Sequence, residues 1–530
     1  MRPAADLTTE LAAATHAPVR WGKVIDHTRC IGCHACTTAC KSENEVPLSV
    51  TRTYVKSVDV GAFPQARRVY QVTRCNQCDD APCVAACPTA AMYRRPDGIV
   101  DFDKSICIGC KACIAACPYD AIFINPGDGA AEKCNFCAHR IDVGLEPACV
   151  VVCPTEAILV GDLNDPTSKV AQVVHRDPVT VRRPEKETRP MLFYKGAHQA
   201  TLDPIAARRP PGGIFMWSEQ GDGPQQVTSG SPGRWANTSA AALLSYDIPH
   251  AEPWGWRVSV YTWTKGIAAG VYIVAALLAL LGALSWTGPL WRWIVPVLAG
   301  LFLAATGTLL IVDLKHPERF YMIFTRPQWR SWLVRGAFII AAYAAVLLAH
   351  FDAGLLGWGW LQPRLVVAGM PLAILTAVYT AYLFAQARAR DLWQNPMLPA
   401  HFLIQALLAG SAALLPFAAW VAPWLVRLLL LVLAATTLLH LMLVWGEATL
   451  AHSTAHAHFA ARDMIAGRHL AFFWTGIGLT GLGALFAGSA LAYPGIPPAW
   501  IATAPVAYAL AGLLAYEHAY VRAGQGVPLA

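Results

Sequence analysis

Sixteen cysteines, the whole complement of the chain, fall in four groups of four between residues 30 and 153, so any fold must gather them. The groups are Cys30, Cys33, Cys36 and Cys40; Cys75, Cys78, Cys83 and Cys87; Cys107, Cys110, Cys113 and Cys117; and Cys134, Cys137, Cys149 and Cys153. The first and third have the spacing Cys-x2-Cys-x2-Cys-x3-Cys, in which three sulfurs wrap one cubic iron-sulfur cluster and the fourth reaches its neighbour. Gly32 and Gly109, inside those loops, are expected to let the backbone approach a cluster closely. The second and fourth groups are the same run with insertions before the third cysteine, so the four groups predict four [4Fe-4S] clusters and an electron-carrying role.

A zinc site would use two separated Cys-x2-Cys pairs and has no need of a third and fourth cysteine at x2 and x3 spacing. A disulfide framework belongs to secreted chains. Residues 1–20 contain no basic stretch followed by an apolar one and no twin arginine, so no export signal is expected and a reducing, cytoplasmic location follows.

The chain is 530 residues long, 55% apolar and only 14% charged, and its halves differ. Residues 1–250 hold the cysteines and most of the charge, whereas residues 263–521 are successive apolar runs rich in Ala, Leu, Gly and Trp. The formal charge of +7 counts each cysteine as neutral. A cluster with four thiolates carries about −2, so four would bring the loaded chain to roughly neutral. The basic balance therefore gives no reason to expect nucleic acid as a partner.

The phrases WGKVIDHTRCIGCHACTTACKSENEVP, RCNQCDDAPCVAACPTAAM and DKSICIGCKACIAACPYDAIFI, with the order of the quartets, resemble the four-cluster electron-transfer subunits of the complex iron-sulfur molybdoenzymes over roughly residues 20–195. That resemblance implies a crossed pairing of the groups. Cys30, Cys33, Cys36 and Cys153 would hold one cluster and Cys134, Cys137, Cys149 and Cys40 its neighbour. Cys75, Cys78, Cys83 and Cys117 would hold a third, and Cys107, Cys110, Cys113 and Cys87 the fourth.

Residues 196–252 contain RRPPGG, GDGPQQ and SGSPGR and are predicted to be a connector between a cluster domain, 1–195, and a membrane domain, 253–530. Eight stretches then approach the roughly 20 apolar residues that cross a bilayer. They lie near 265–286, 292–313, 331–352, 365–387, 401–422, 426–447, 469–492 and 498–520. The expected fold is an α+β ferredoxin-like four-cluster domain followed by an all-α membrane domain of about eight transmembrane helices. Loops on the side of the N-terminal half carry Lys315, Arg319, Arg326, Arg330, Arg335, Arg388, Arg390, Arg462, Arg468 and Arg522, against Arg292, Arg364 and Arg427 opposite. Ten against three predicts the cluster domain on the cytoplasmic face of a bacterial cytoplasmic (inner) membrane.

The amphipathic lead-in EPWGWRVSVYTWTKGIAAGVYI and the stretch DLKHPERFYMIFTRPQWRSWLVRGAFII resemble the polysulfide-reductase-type, NrfD-like subunits over about residues 250–520. The resemblance implies two four-helix bundles and a quinone site near the cluster-bearing face. Ionisable groups within spans are costly and are functional candidates. Lys265, Asp313 and Glu447, expected at the cytoplasmic ends of spans, are the candidates for quinone and proton chemistry. Trp254, His316, Arg319 and His452 are further candidates for quinone binding. The plain alternative is anchoring, with Asp313 paired to Lys315 or Arg319 and Glu447 to a nearby arginine.

The expected function is an electron-transfer and membrane-anchor subunit of a membrane-bound oxidoreductase. Electrons would pass through four [4Fe-4S] clusters between a partner carrying a molybdenum or tungsten pterin and a quinone, ubiquinone or menaquinone. An ion-translocating energy converter is one alternative. An anchor with b-type haem on histidines such as His401 and His440 is another.

Overall fold

Strand β1 (Trp21–Asp26) is covered on both faces, so even Lys23 and Asp26 are buried in it. The structure is a computed structural model and describes residues 18–208, 242–250, 252–493 and 498–530, the side chains of 498–502 excepted. β2 (Thr53–Val60) and β3 (Arg67–Arg74) form a long antiparallel hairpin whose Val55, Val58 and Val72 face the interior. Two short hairpins follow, β4 (Met92–Arg94) with β5 (Val100–Phe102) and β6 (Ile122–Ile124) with β7 (Ala131–Lys133). β8 (Ile158–Asp162), β9 (Val179–Thr180) and β10 (Leu192–Lys195) complete a sheet of order β8-β1-β10-β9, with β1 parallel to β10 and antiparallel to β8.

Short helices carry cysteines from each group: α1 (Ala35–Glu43), α2 (Pro82–Ala86), α3 (Ala112–Ala116) and α4 (Ala148–Val151). α2 begins with proline at its first position, where a missing N–H costs nothing. Pro88 and Pro118 follow α2 and α3 closely and prevent them from continuing.

The expected connector is structured at both ends. Ala200, Ala206, Ala207, Ala242 and Leu244 pack on Val58 and Val60, and β11 (Ala242–Tyr246) adds a strand to the β2–β3 sheet. The cluster half therefore takes in residues assigned to the connector. The Pro/Gly-rich middle, 209–241, lies outside the described residues.

Among the described residues, seven helices of the second half are long and apolar enough to cross a membrane. They are α5 (Trp256–Leu280), α6 (Leu290–Val312), α7 (Trp332–Leu355), α8 (Gln362–Gln386), α9 (Leu398–Val421), α10 (Pro423–Thr449) and, after α11 (Ala455–Ala466), α12 (Leu470–Ala492). The eighth expected span falls on α13 (Pro498–Gly526), a 29-residue helix. α5, α6, α7 and α8 pack as one group of four and α9, α10, α12 and α13 as a second.

The two groups meet along α5 and α9, where Gly270 and Gly410 lie backbone against backbone and a Cβ on either would strike the other helix. α5 starts at Trp256, earlier than the expected 265. The reason is that its polar residues, Ser259, Thr262, Thr264 and Lys265, are all buried in the bundle. Hydropathy read them as a boundary.

Candidate functional site: four cysteine quartets docked on a membrane bundle

The fold gathers the sixteen cysteines in the crossed pairing that the family resemblance implied. Cys30, Cys33, Cys36 and Cys153 line one cavity. Cys87, Cys107, Cys110 and Cys113 line another. Between these, Cys40 faces Cys134, Cys137 and Cys149, and Cys78 faces Cys75, Cys83 and Cys117.

Neighbouring quartets come close enough to influence one another. Cys36 and Cys40 both face Cys149, Cys75 faces Cys134, and Cys113 faces Cys83. The quartets thus form a line from the Cys30 group to the Cys107 group. At the outer end Cys33 is exposed and Ile31 and Val151 stand in solvent.

Gly32 and Gly109 adopt positive φ, 70° and 67°. Their freedom from a side chain has a different immediate use from the one expected, because a Cβ on Gly32 would strike Tyr70 and one on Gly109 would strike Lys315. Backbone N–H groups point at sulfurs in three quartets: Ala157 at Cys153 (3.2 Å), Met92 at Cys87 (3.3 Å) and Gln77 at Cys75 (3.5 Å).

Burial pushes the Cys36 thiol up to about 11 and Cys40 up to about 12, with neighbouring sulfurs adding to the rise. Crowded, desolvated thiols are stable as thiolates only with a compensating cation, which is the environment a bound iron cluster supplies. Cys149 is the exception. Burial works upward there too, but Arg74 and then Lys23 outweigh it and bring the thiol down to about 7.

The inner end of the line is fastened to the membrane half. Trp254 donates its indole N–H to Cys110 O at 3.2 Å. Arg319 donates to Lys104 O and Cys107 O, and the backbone N–H of His316 donates to Ile108 O. Asp313 pairs with Lys111 at 3.0 Å, neither Lys315 nor Arg319 being its partner. Ser331 and Gln386 donate to Ala86 O and Ala85 O at the end of α2, and alanines of α2 and α3 join Trp254, Phe384 and Trp393 in one apolar cluster. Trp254, Asp313, His316 and Arg319, expected at a quinone, are therefore engaged in docking the cluster half.

The other candidates lie elsewhere. Lys265 is well inside α5, donating to Ala377 O and Thr380 Oγ1 at 2.8 Å each and lying over the Phe402 ring. Its expected place at a span end is corrected by the earlier start of α5. Glu447 is held by Asn395 and Tyr516, each at 3.2 Å, and no arginine reaches it among the described residues. His452 is half-buried after α10, with its ring 6.3 Å from that of His458.

A narrow pocket lies between α5, α9 and α13, lined by Thr262, His401, Phe402, Gln405, Tyr516 and Glu517 among others. Thr262 donates to Glu517 at 2.8 Å. Gln405 Oε1 and His440 Nε2 are buried without a partner. His401 and His440 contact each other directly, Nε2 to Nδ1 at 2.8 Å, which leaves no gap for a porphyrin between them. A series of neighbouring rings connects this pocket to the cysteines: Trp254 stacks against Phe384 and Trp393, and Phe384 meets Phe402 at a tilt.

Residues 66–163 match the 4Fe-4S dicluster domain family, and residues 246–507 match the family described as Polysulphide reductase, NrfD. The first half is similar to a tetrathionate reductase subunit of Salmonella typhimurium, 42% identical over 204 residues, covering 38% of this chain and 80% of that protein. It is also similar to a polysulfide reductase component of Wolinella succinogenes, at 44% identity over 33% of this chain and 93% of that one. The arsenate respiratory reductase iron-sulfur subunit ArrB of a Shewanella strain is 36% identical over 33% of this chain and 96% of its own. This protein belongs to the reductase iron-sulfur subunit family, fused here to an NrfD domain. As such it is an electron-transfer and membrane-anchor subunit of an oxidoreductase, it carries iron-sulfur clusters, and it is a multi-pass membrane protein.

Several residues of this iron-sulfur–NrfD fusion escaped the sequence reading. Glu517 sits in the last apolar run and the rule for ionisable groups in spans would have found it. Gln405, Thr262 and Tyr516 are unremarkable in an apolar sequence, and nothing in the cysteine spacing singles out Lys23 or Arg74.

Proposed function

We propose that this chain conducts electrons between a molybdenum- or tungsten-pterin partner and a quinone, ubiquinone or menaquinone, through four [4Fe-4S] clusters. The partner docks at the exposed Cys33 end, and the quinone ring enters the pocket of Thr262, His401, Gln405 and Glu517. The observation that carries this reading is Trp254, which binds the Cys110 loop with its nitrogen and begins the series of neighbouring rings that reaches Phe402 on the pocket wall. When bound, the clusters supply one-electron steps between the two-electron chemistries at either end.

The chain's own residues position and protonate. His401 offers a donor to a quinone oxygen, the unpartnered Oε1 of Gln405 can accept from a quinol hydroxyl, and Thr262 holds Glu517 at the same pocket for proton exchange. From the pocket wall, Tyr516 hydrogen-bonds Glu447, and Asn395 binds the other oxygen of that carboxylate, so a polar path leads toward the face that carries the cluster half. Ten of the loop basic residues on that face support its being cytoplasmic.

Metal analysis of the complex purified from native membranes tests this. Sixteen irons per chain with one molybdenum or tungsten is the expected result. Fewer irons would remove the four-cluster count, and sixteen without either metal would remove the pterin partner.

A further inference from the structure

The second quartet of the line differs from the other three in the charge that surrounds it. Arg74 is fully buried at the end of β3 and its Nη1 donates to Cys149 Sγ at 3.0 Å. Its Nε and Nη2 have no hydrogen-bond partner. Lys23, also buried, places Nζ 4.0 Å from the same sulfur and 4.0 Å from the centre of the Phe136 ring. Neither cation has a carboxylate partner among the described residues.

Asn44 adds its amide. Nδ2 lies 3.7 Å from both Cys40 Sγ and Cys137 Sγ, and Arg52 fixes that orientation by donating to Asn44 Oδ1 at 2.8 Å.

The other quartets lack this combination. Lys111, beside Cys110, is neutralised by Asp313. Lys133, near Cys75 and Cys83, keeps its charge but is a single cation, held by the carbonyls of Val100 and Cys134 and not hydrogen-bonded to a sulfur. The Cys30 group receives the backbone N–H of Ala157.

Two uncompensated cations in a buried site are costly unless an anion balances them. A cluster with its four thiolates is such an anion, at about −2 oxidised and about −3 after one electron is added. A fixed positive charge stabilises the second state more than the first, and potential follows net charge and hydrogen bonds to sulfur.

We propose that Arg74, supported by Lys23 and Asn44, raises the reduction potential of the cluster at Cys40, Cys134, Cys137 and Cys149 above those of its neighbours. The second place in the line is then an electron store. One electron enters from an adjacent cluster and leaves to the next, with no proton taken up, because Arg74 supplies the compensating charge. Arg74 is a positioning and tuning residue. The proposal rests on the four-cluster reading given above.

The test is a potentiometric titration of the purified complex followed by electron paramagnetic resonance, on the parent chain and on Arg74→Gln, Arg74→Lys and Lys23→Met. Arg74→Gln should move one of four components down by at least tenfold in its reduced-to-oxidised ratio, about 59 mV for one electron. Arg74→Lys should return that component to within about twofold of the parent, and Lys23→Met should move the same component down by a smaller amount.

Equal shifts in all components, or equal behaviour of the glutamine and lysine variants, would overturn the proposal. Should the glutamine variant fail to load its cluster, the lysine and Lys23 variants decide alone: no shift in Lys23→Met with sixteen irons present overturns it. A parent complex with fewer than four components or sixteen irons would instead defeat the four-cluster reading.

Discussion

Trp254 donates to Cys110 O at 3.2 Å while its ring stacks 5.5 Å from that of Trp393. A single side chain thus belongs both to a cysteine loop and to the aromatic interior of the membrane half. Replacing it separates the two roles. Trp254→Phe keeps a ring and loses one hydrogen bond, worth about 1 kcal/mol; Trp254→Leu loses both. Rapid-mixing measurements of quinol-driven cluster reduction should rank the parent above Phe and Phe above Leu, with iron content unchanged. Equal rates in all three would remove Trp254 from the route.

Lys111 and Asp313 join the two halves across a mostly buried contact, at side-chain exposures of 13% and 16%. Removing one partner strands the other charge, so Asp313→Asn should weaken docking by on the order of 2 kcal/mol. The double variant Lys111→Met with Asp313→Leu should be less damaging than either single change. Limited proteolysis of the 242–256 junction in detergent reads this out. Additive damage in the double variant would count against the pairing.

His250 lies between Asp120 of the cluster half and Asp247, the latter at 3.1 Å. Burial alone would lower its pKa, but the two carboxylates prevail and raise it from 6.5 to about 9. The folded chain therefore holds the proton more tightly than the unfolded one. The stabilisation is complete below about pH 6.5 and disappears as pH rises through about 9, an effect on the order of 2–3 kcal/mol. Melting curves should fall across that window for the parent and stay flatter for His250→Gln. Parallel curves would show that this histidine is not the titrating group.

The cysteine quartets and the apolar spans were legible because each leaves a strong signature, fixed spacing in one case and runs of apolar residues in the other, whereas the crossed pairing and the two bundles came only with the family resemblance. The start of α5 was not, since Ser259, Thr262 and Lys265 read as polar in sequence and become interior only when α8, α9 and α13 surround them. For the same reason the sequence put Asp313, His316 and Arg319 at a quinone. Each is a polar residue at a span end, and only the docked cluster half shows that Lys111, Ile108 and Cys107 are waiting there. Arg74 was invisible because its meaning depends on Cys149, which is 75 residues away.

Gly270 and Gly410 set how closely α5 and α9 approach, since a Cβ on either meets the opposite backbone. Gly270→Val should separate the two four-helix groups and cost about 1–3 kcal/mol or more, because backbone atoms have nowhere to shift. The expected result is loss of folded protein from membranes. Gly300→Val is the control, because a Cβ there meets open space. Equal yields of both variants would mean that the crossing is looser than the backbone contact implies.

The pocket offers a case in which stability and activity should move in opposite directions. Gln405 Oε1 is buried with no partner, and Nε2 has only a long 3.5 Å contact to His401. An unsatisfied buried acceptor costs about 1–3 kcal/mol, so Gln405→Leu should leave the melting temperature unchanged or raise it. A ligand that satisfies this acceptor must bring a donor, as a quinol hydroxyl does, so quinol-dependent turnover should fall in the same variant while cluster reduction by an artificial donor continues. Glu517→Gln, which keeps the Thr262 bond and removes the proton-exchanging group, should bind quinone and turn over slowly. A Gln405→Leu protein that is both less stable and fully active would place the quinone elsewhere in the bundle.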